Sequence, residues 1–215
     1  MLEKYEESMQ DLKQELITLG IAIEQAINKT WKALETLDPV LADEIYRGDD
    51  AIDELVRDCM RKDLNISMMQ SPVASDWREL MATLKILSDL ERIGDHCADI
   101  SHYVLHLKKA DHPVPMPAGI KEMYAVMSSM VADVLDFYKG KESSQAELMK
   151  DKDDIVDQAF NQLMEEISAD MTKDAVDSRQ YVAYVLIVKY IERMADHANN
   201  IAEWIIYREK NEIHI

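Results

Sequence analysis

Four pairs of acidic side chains share a four-residue spacing, and no other residues in this sequence show a clearer capacity for chemistry. The pairs are Glu91 with Asp95, Glu192 with Asp196, Asp49 with Asp53, and Asp153 with Asp157. Residues four apart lie about 40° from each other around an α-helix, so each pair belongs to one stripe. Asp99 extends the first stripe by one turn, and Asn200 extends the second.

Such stripes need a compensating charge. Two like charges at this spacing destabilise an isolated helix by roughly 0.2–0.5 kcal/mol. Carboxylate oxygens bind hard cations such as magnesium, manganese and calcium, and also iron, so two pairs on neighbouring helices would suit a polynuclear site. Alternatively, Arg92 and Arg193 could neutralise an acid on a facing helix and leave an ordinary ion-paired surface. The spacing alone leaves both interpretations open.

Other catalytic arrangements find little support. His96 and His197 each follow a glutamate by five residues, which misses the Glu-x-x-His spacing of di-iron bundles. Asp99, His102 and His106 share a helix face and could bind zinc, but the second half has no matching histidines. There is no Gly-rich phosphate loop, no G-x-S-x-G and no H-E-x-x-H. We therefore expect no enzyme activity.

Apolar residues recur at helical spacing along most of the chain and predict six long helices. Asp38-Pro39 supplies an N-cap followed by a proline at the first helical position, and Ser71-Pro72 interrupts the pattern before the third helix. The predicted helices cover about 3–37, 39–69, 76–109, 120–139, 142–170 and 176–211. Short connections between long helices predict antiparallel neighbours.

The sequence contains an internal duplication. ERIGDHCADI at 91–100 aligns with ERMADHANNI at 192–201, with five of ten positions identical at an offset of 101 residues. DDAID at 49–53 aligns with DDIVD at 153–157 at an offset of 104. The segment 110–119 holds three of the five prolines and is predicted to be a linker. We therefore predict an all-α fold of two tandem three-helix bundles, residues 1–109 and 120–215.

Composition limits the partners and the location. With 24 basic and 42 acidic residues, the net charge is −18, which repels nucleic acids and anionic lipid surfaces. Cys59 and Cys97 show no CxxC spacing, so we expect neither a disulfide framework nor a zinc site. The most apolar run, 181–191, contains Lys189 and is too short to span a bilayer. With no signal peptide evident, we expect a cytoplasmic protein without direct membrane insertion.

The motif E-R-[IM]-[GA]-D-H at 91–96 and 192–197, one copy per half, resembles the PhoU family of bacterial phosphate-uptake regulators. The resemblance extends to SDWREL at 75–80 and covers nearly the whole chain. It implies two PhoU-type bundles related by pseudo-twofold symmetry, with metal clusters held by paired E/D-x-x-x-D motifs. Glu91, Asp95, Glu192 and Asp196 match those motifs directly. The implied partners from adjacent helices are Asp49, Asp53, Asp153 and Asp157, while Asp99 and Asn200 extend the stripes with unequal ligand strength.

The same resemblance implies a function. PhoU-like proteins restrain phosphate uptake and starvation signalling by contacting a Pst-type ABC transporter ATPase and a PhoR-type sensor histidine kinase. It also implies bound metal ions, either divalent or trivalent, and suggests a homodimer. Two alternatives stay open: a structural or chaperone-like helical interaction protein without metal, and a metal-dependent helical enzyme. The enzyme would need its ligands to converge in a buried pocket, whereas exposed stripes in shallow grooves would oppose it.

Overall fold

The chain folds into six long α-helices, as a computed structural model describes for residues 2–69, 73–110, 112–140, 143–173 and 178–210. The helices are α1 (Leu2–Thr36), α2 (Pro39–Met69), α3 (Ala74–Lys108), α4 (Gly119–Tyr138), α5 (Met149–Lys173) and α6 (Ser178–Lys210). The described residues contain no strand, which confirms the predicted all-α class. No helix in these ranges is both long enough and apolar enough to cross a bilayer.

Among the described residues, the helix bounds lie within three residues of the predicted ones, except at the start of the fifth helix. The Asp38 carboxylate accepts hydrogen bonds from the backbone amides of Val40, at 2.9 Å, and Leu41, at 3.2 Å, so it caps α2 as expected. The predicted break at Ser71-Pro72 falls in 70–72, outside the described residues. The fifth helix was predicted to begin at 142, but a 3₁₀ helix occupies Ser143–Leu148 and α5 starts only at Met149.

Each half packs its three helices around a shared apolar core. Helices α1, α2 and α3 contact one another, as α6 does with α4 and α5, while α4 and α5 also touch. Leu90 and Ile191 are matching positions of the duplication, as are Ile100 and Ile201, and all four are buried, so α3 and α6 turn the same side to the core. The buried face of α1 shows the expected spacing at Leu12, Leu16, Leu19, Ile23 and Ile27.

The two halves meet where α3 packs along α6. Nζ of Lys85 in α3 lies 5.6 Å from the centre of the Trp204 ring in α6. Eleven residues further along α3, the centre of the His96 ring lies 5.6 Å from that of His197. Residue numbers thus rise along α3 as they fall along α6, so the two helices are antiparallel. His96 and His197 occupy equivalent positions in the duplication and touch each other, which places them beside the pseudo-twofold axis that relates the halves.

The segment between α3 and α4 is held against the start of α6. The buried Gln180 side chain donates to the His112 carbonyl and accepts from the Val114 amide, both at 2.8 Å. The Tyr184 hydroxyl donates to the Val114 carbonyl at 3.1 Å. The connection is therefore fixed by side chains of the second half. The boundaries 1–109, 110–119 and 120–215 stay predictions.

Candidate metal centres

The first half brings three aspartates together in the groove between α2 and α3. Asp49 and Asp53 project one turn apart from α2, and Asp95 projects from α3. One carboxylate oxygen from each lies within 4.8 Å of the other two. All three side chains are partly buried, so the cluster lies at the edge of the core rather than on a fully solvated face.

The second half builds a related cluster between α5 and α6. Asp157 of α5 lies with Glu192 and Asp196 of α6, again with one oxygen of each within 4.8 Å of the others. Asp157 is the duplicate of Asp53, and Asp196 is the duplicate of Asp95. The third member differs, because the first cluster uses the α2 aspartate whereas the second uses the α6 glutamate. The two sites are thus related but not identical.

Burial and crowding raise the pKa of the acids in both grooves. The pKa of Asp49 rises from 3.8 to about 6, through burial first and then the charges of Asp95 and Asp53. The pKa of Asp153 also rises to about 6, through burial and the charges of Asp196 and Asp157. Holding several carboxylates ionised in either groove is therefore unfavourable without a cation.

The remaining stripe residues experience the same environment. The pKa of Glu91 is raised by burial and by the charges of Asp53 and Asp95. The pKa of Glu192 is raised by burial and by Asp196. Glu91 and Asp153 therefore lie close enough to feel the clusters, although neither belongs to the set of oxygens within 4.8 Å.

Two buried oxygens indicate that these residues suit a cation. Oδ1 of Asp49 and Oδ1 of Asp153 are buried and have no hydrogen-bond partner among the described residues. A buried acceptor left unpaired costs about 1–3 kcal/mol, and here the unpaired acceptor occurs at both duplicated positions. Oxygens that share one hard ion at about 2.0–2.6 Å lie no more than about 4–5 Å apart, which matches the observed spread. The donor set is therefore appropriate for magnesium, manganese, calcium or iron.

Arginine side chains offset only part of this charge. Arg92 Nη1 lies 2.9 Å from Asp95 Oδ2, and Arg57 Nη1 lies 3.8 Å from Asp53 Oδ2. Both pairs form within one helix, not between facing helices as the ion-pair interpretation expected. In the described part of the chain, Arg193 forms no ion pair within 4.0 Å. Close ion pairs thus offset part of the first cluster. In the second cluster, the charge of Arg193 opposes the rise in the pKa of Glu192 and Asp196 without forming such a pair.

The two stripe extensions behave differently. Asp99 lines the first groove, and its Oδ2 lies 3.4 Å from Nδ1 of His96. Asn200 instead turns toward α3, where its amide donates to Asp89 Oδ1 at 3.4 Å, and Nδ1 of His197 lies 2.8 Å from the same oxygen. Asn200 is therefore directed away from the second cluster. The sequence analysis missed Asp89, because the duplicate of Asp89 is a tyrosine and its contact depends on how α3 and α6 align.

Comparison with known proteins identifies the family. A family model described as "PhoU domain" matches the chain twice, over residues 16–104 and 120–205. The phosphate-specific transport system accessory protein PhoU homolog of Clostridium acetobutylicum is 32% identical over 204 residues, covering 94% of this chain and 93% of that protein. The homolog of the same name from Streptococcus pneumoniae is 30% identical over 217 residues, covering 99% of this chain and 98% of that one.

Solved structures share the whole architecture. The PhoU crystal structure from Pseudomonas aeruginosa superposes with a TM-score of 0.93, covering 97% of this chain and all of that one at 24% identity. The phosphate transport system regulatory protein PhoU from Streptococcus pneumoniae gives a TM-score of 0.90 at 28% identity, covering 98% of this chain and 99% of that one. The tandem domain match, the curated relatives and the shared fold together show that this chain belongs to the PhoU family.

Proposed function

We propose that this chain is a metal-binding regulatory adaptor that restrains phosphate uptake and the phosphate-starvation response. It would act by contact with the ATPase of a Pst-type transporter and with a sensor histidine kinase. The relatives' names, which describe accessory proteins of the phosphate-specific transport system, support the connection to phosphate transport. The observation that carries the metal-binding part is the buried, unpaired oxygen repeated at Asp49 and Asp153.

The residues that would hold the ions join separate helices. Asp49 and Asp53 would bind from α2 and Asp95 from α3, while Asp157 would bind from α5 together with two acids of α6. A bound cation supplies positive charge where carboxylates crowd, and it links two helices of one bundle. By linking two helices, the bound ion would order the carboxylates on the outer face of each bundle. That face would present a defined surface to a partner.

The form of the two grooves favours docking over catalysis. Asp50 and Asp154, which flank the clusters, are exposed, and so is Asp157. Asp49 and Asp95 are only partly buried, so the ligands do not converge in a closed pocket where water could be excluded. An enzyme that activates water or substrate on a metal gains most from such exclusion. A regulatory role by contact needs only an ordered, accessible surface.

The proposed role also implies where the protein works and how it assembles. An adaptor for a transporter ATPase and for the kinase domain of a sensor would work in the cytoplasm. The acidic surface, with a net charge of −18, would suit basic patches on its partners, because complementary charge speeds and orients docking. We also propose that the chain self-associates as a homodimer, which analytical ultracentrifugation of the full chain at several concentrations would test.

The decisive experiment compares three forms of the protein in cells that lack their own copy. The first is unaltered, and the second carries Glu91→Ala, Asp95→Ala, Glu192→Ala and Asp196→Ala. The third is a charge-matched control that removes four exposed acids outside the grooves: Glu6→Ala, Glu7→Ala, Asp11→Ala and Glu165→Ala. The readouts are a phosphate-starvation reporter under ample phosphate and co-purification with the transporter ATPase and the kinase.

We expect the unaltered protein and the charge-matched control to keep the reporter off and to co-purify with both partners. The groove variant should leave the reporter on and lose at least one partner. If the groove variant represses as well as the control, the clusters are not needed for regulation. If the unaltered protein itself neither represses nor co-purifies with either partner, the adaptor function is wrong.

A further inference from the structure

Two histidines on α3 face each other outside the carboxylate clusters. His102 and His106 are one turn apart, and their Nε2 atoms lie 3.1 Å from each other. The His102 ring also packs against Tyr46 of α2, at 5.6 Å, and edge-on against Tyr103, at 5.5 Å. These contacts limit the orientation of the His102 ring. His106 is exposed, so the pair is open to solvent on one side.

The separation of the two nitrogens matches the bite of a chelate. Imidazole nitrogens bind zinc at about 2.0–2.1 Å, so a 3.1 Å separation subtends about 98° at the ion. This angle lies between the octahedral value of about 90° and the tetrahedral value of about 109°. Both nitrogens could therefore bind one ion without moving α3. Imidazole nitrogens favour borderline ions such as zinc, nickel, copper and cobalt over magnesium or calcium.

The charge around the pair is acidic on the His102 side and basic on the His106 side, where His106 lines a pocket with Lys109 and Arg179. Tyr46, which packs on His102, also lines the groove that contains Asp49, Asp50 and Asp95. The His102 side of the pair thus lies at the rim of a strongly acidic groove, where a negative potential raises the local concentration of divalent ions. The groove would attract the ion, and the imidazoles would select its type.

The fold itself does not require this pair. The duplicated positions in α6 carry Glu203 and Tyr207 instead of histidines, yet α6 forms the same long helix. The histidines are therefore a property of the first half alone and not an inherited part of the bundle. A packing role common to both halves would not explain them.

We propose that His102 and His106 form a two-histidine binding site for a divalent transition-metal ion of the zinc, nickel, copper or cobalt class. The site is separate from the carboxylate clusters and does not depend on their function. Two protein ligands leave at least two coordination positions for water or for a side chain of another molecule. The protein would then bind a softer metal ion through imidazole nitrogens, in addition to hard ions through carboxylate oxygens.

Zinc titration of the full chain tests the proposal. The calorimetric titration is run at pH 7.5 with excess magnesium, so that the carboxylates already have a hard ion available. The variants are His102→Ala and His106→Tyr, the latter giving position 106 the residue type found at Tyr207. The matched control is His112→Ala, which removes another exposed histidine, whose structural contact uses only its backbone carbonyl.

Each variant of the pair should bind zinc at least about tenfold more weakly, because the second ligand of a chelate acts at high effective concentration. His112→Ala should leave the affinity unchanged. Equal zinc affinity in the unaltered chain and in the pair variants would overturn the proposal, as would an equal loss in the control. Proton NMR of the unaltered chain gives a readout without any substitution: zinc must shift the ring signals of both histidines first, and the absence of that shift would also overturn it.

Discussion

Asp63 is fully buried on α2, and neither carboxylate oxygen has a hydrogen-bond partner among the described residues. Burial raises the pKa of this carboxyl from 3.8 to about 7. The duplicated position in the second half is Ile167, which is also buried, so the fold places an apolar side chain at this depth in one copy and an acid in the other. We expect Asp63→Asn to stabilise the protein at high pH.

Proton binding by Asp63 determines whether the stability rises or falls with pH. Between pH 3.8 and about 7 the folded chain holds a proton on Asp63 that the unfolded chain has released, so the stability contributed by this group falls as the pH rises through that window. With these two pKa values, the different proton binding of Asp63 in the folded and unfolded chains lowers the stability by about 2 kcal/mol at pH 5 and by about 4 kcal/mol at pH 8. Asparagine has nearly the same shape and no charge to lose. The free energy of unfolding of Asp63→Asn, relative to the unaltered chain, should therefore rise by about 2–3 kcal/mol from pH 5 to pH 8.

Urea unfolding followed by circular dichroism at pH 5, 6, 7 and 8 measures this difference. Other acids titrate in the same range, but they do so in both proteins, so comparing the two isolates Asp63. Asp11→Asn, on the exposed side of α1, is the control and should show no comparable trend. A stability difference that stays flat from pH 5 to pH 8, or that favours the unaltered chain at pH 8, would refute the reasoning.

Further changes test the packing and the metal chemistry. Gln180→Ala removes two hydrogen bonds to the linker from a buried site, so it should lower the free energy of unfolding by about 1–3 kcal/mol in urea titrations and speed proteolysis of the linker. Gly20→Val should destabilise by a similar amount, about 1–3 kcal/mol by the same assay, because a Cβ at Gly20 would lie 2.7 Å from a methyl of Leu135 where α1 meets α4. Manganese affinity, measured by calorimetry, should weaken as the pH falls below about 6, because the raised pKa of Asp49 and of Asp153 lets protons compete with the ion there.

Much of the fold could be predicted because the sequence contains two kinds of repeat. Apolar residues repeat at helical spacing, and whole helices repeat at offsets of 101 and 104 residues. These two patterns gave the helix bounds within a few residues, and the buried pair Leu90 and Ile191 confirms the alignment. The exception at Ser143–Leu148 reflects a 3₁₀ segment, whose spacing of three residues is hard to distinguish from the first turns of an α-helix.

Details of the candidate site depended on how helices align, which the sequence did not reveal. The four-residue spacing predicted the stripes but not that Asp49 would complete one cluster and Glu192 the other. Asn200 was placed with the metal residues because it continues the stripe of Glu192 and Asp196 at the same four-residue spacing, yet the antiparallel packing of α3 and α6 turns it toward Asp89. Its metal role stays a prediction. The direction of an individual side chain at a helix interface can be predicted only when the crossing angle and the alignment of the two helices are known.

Sequence reasoning also overlooked Asp63, for a different reason. It lies at helical spacing with the buried residues Val56, Cys59 and Ile66, so the period places it in the core. A charged residue is usually taken as surface, because ionised side chains are rarely buried without a partner. Comparison with Ile167 in the second half is the signal that would have identified it.

Metal content distinguishes carboxylate clusters that bind ions from carboxylates that only face solvent. Elemental mass spectrometry on the native protein, purified without chelators, gives the ratio of metal to chain, and the same measurement is made on the variant with Glu91, Asp95, Glu192 and Asp196 changed to alanine. We predict bound magnesium, manganese, calcium or iron in the native chain, loss of that metal in the variant, and a fall in the native melting temperature after chelation. Equal and negligible metal in both proteins, with a melting temperature that chelation leaves unchanged, would contradict the account and reduce the carboxylate clusters to ordinary acidic surface.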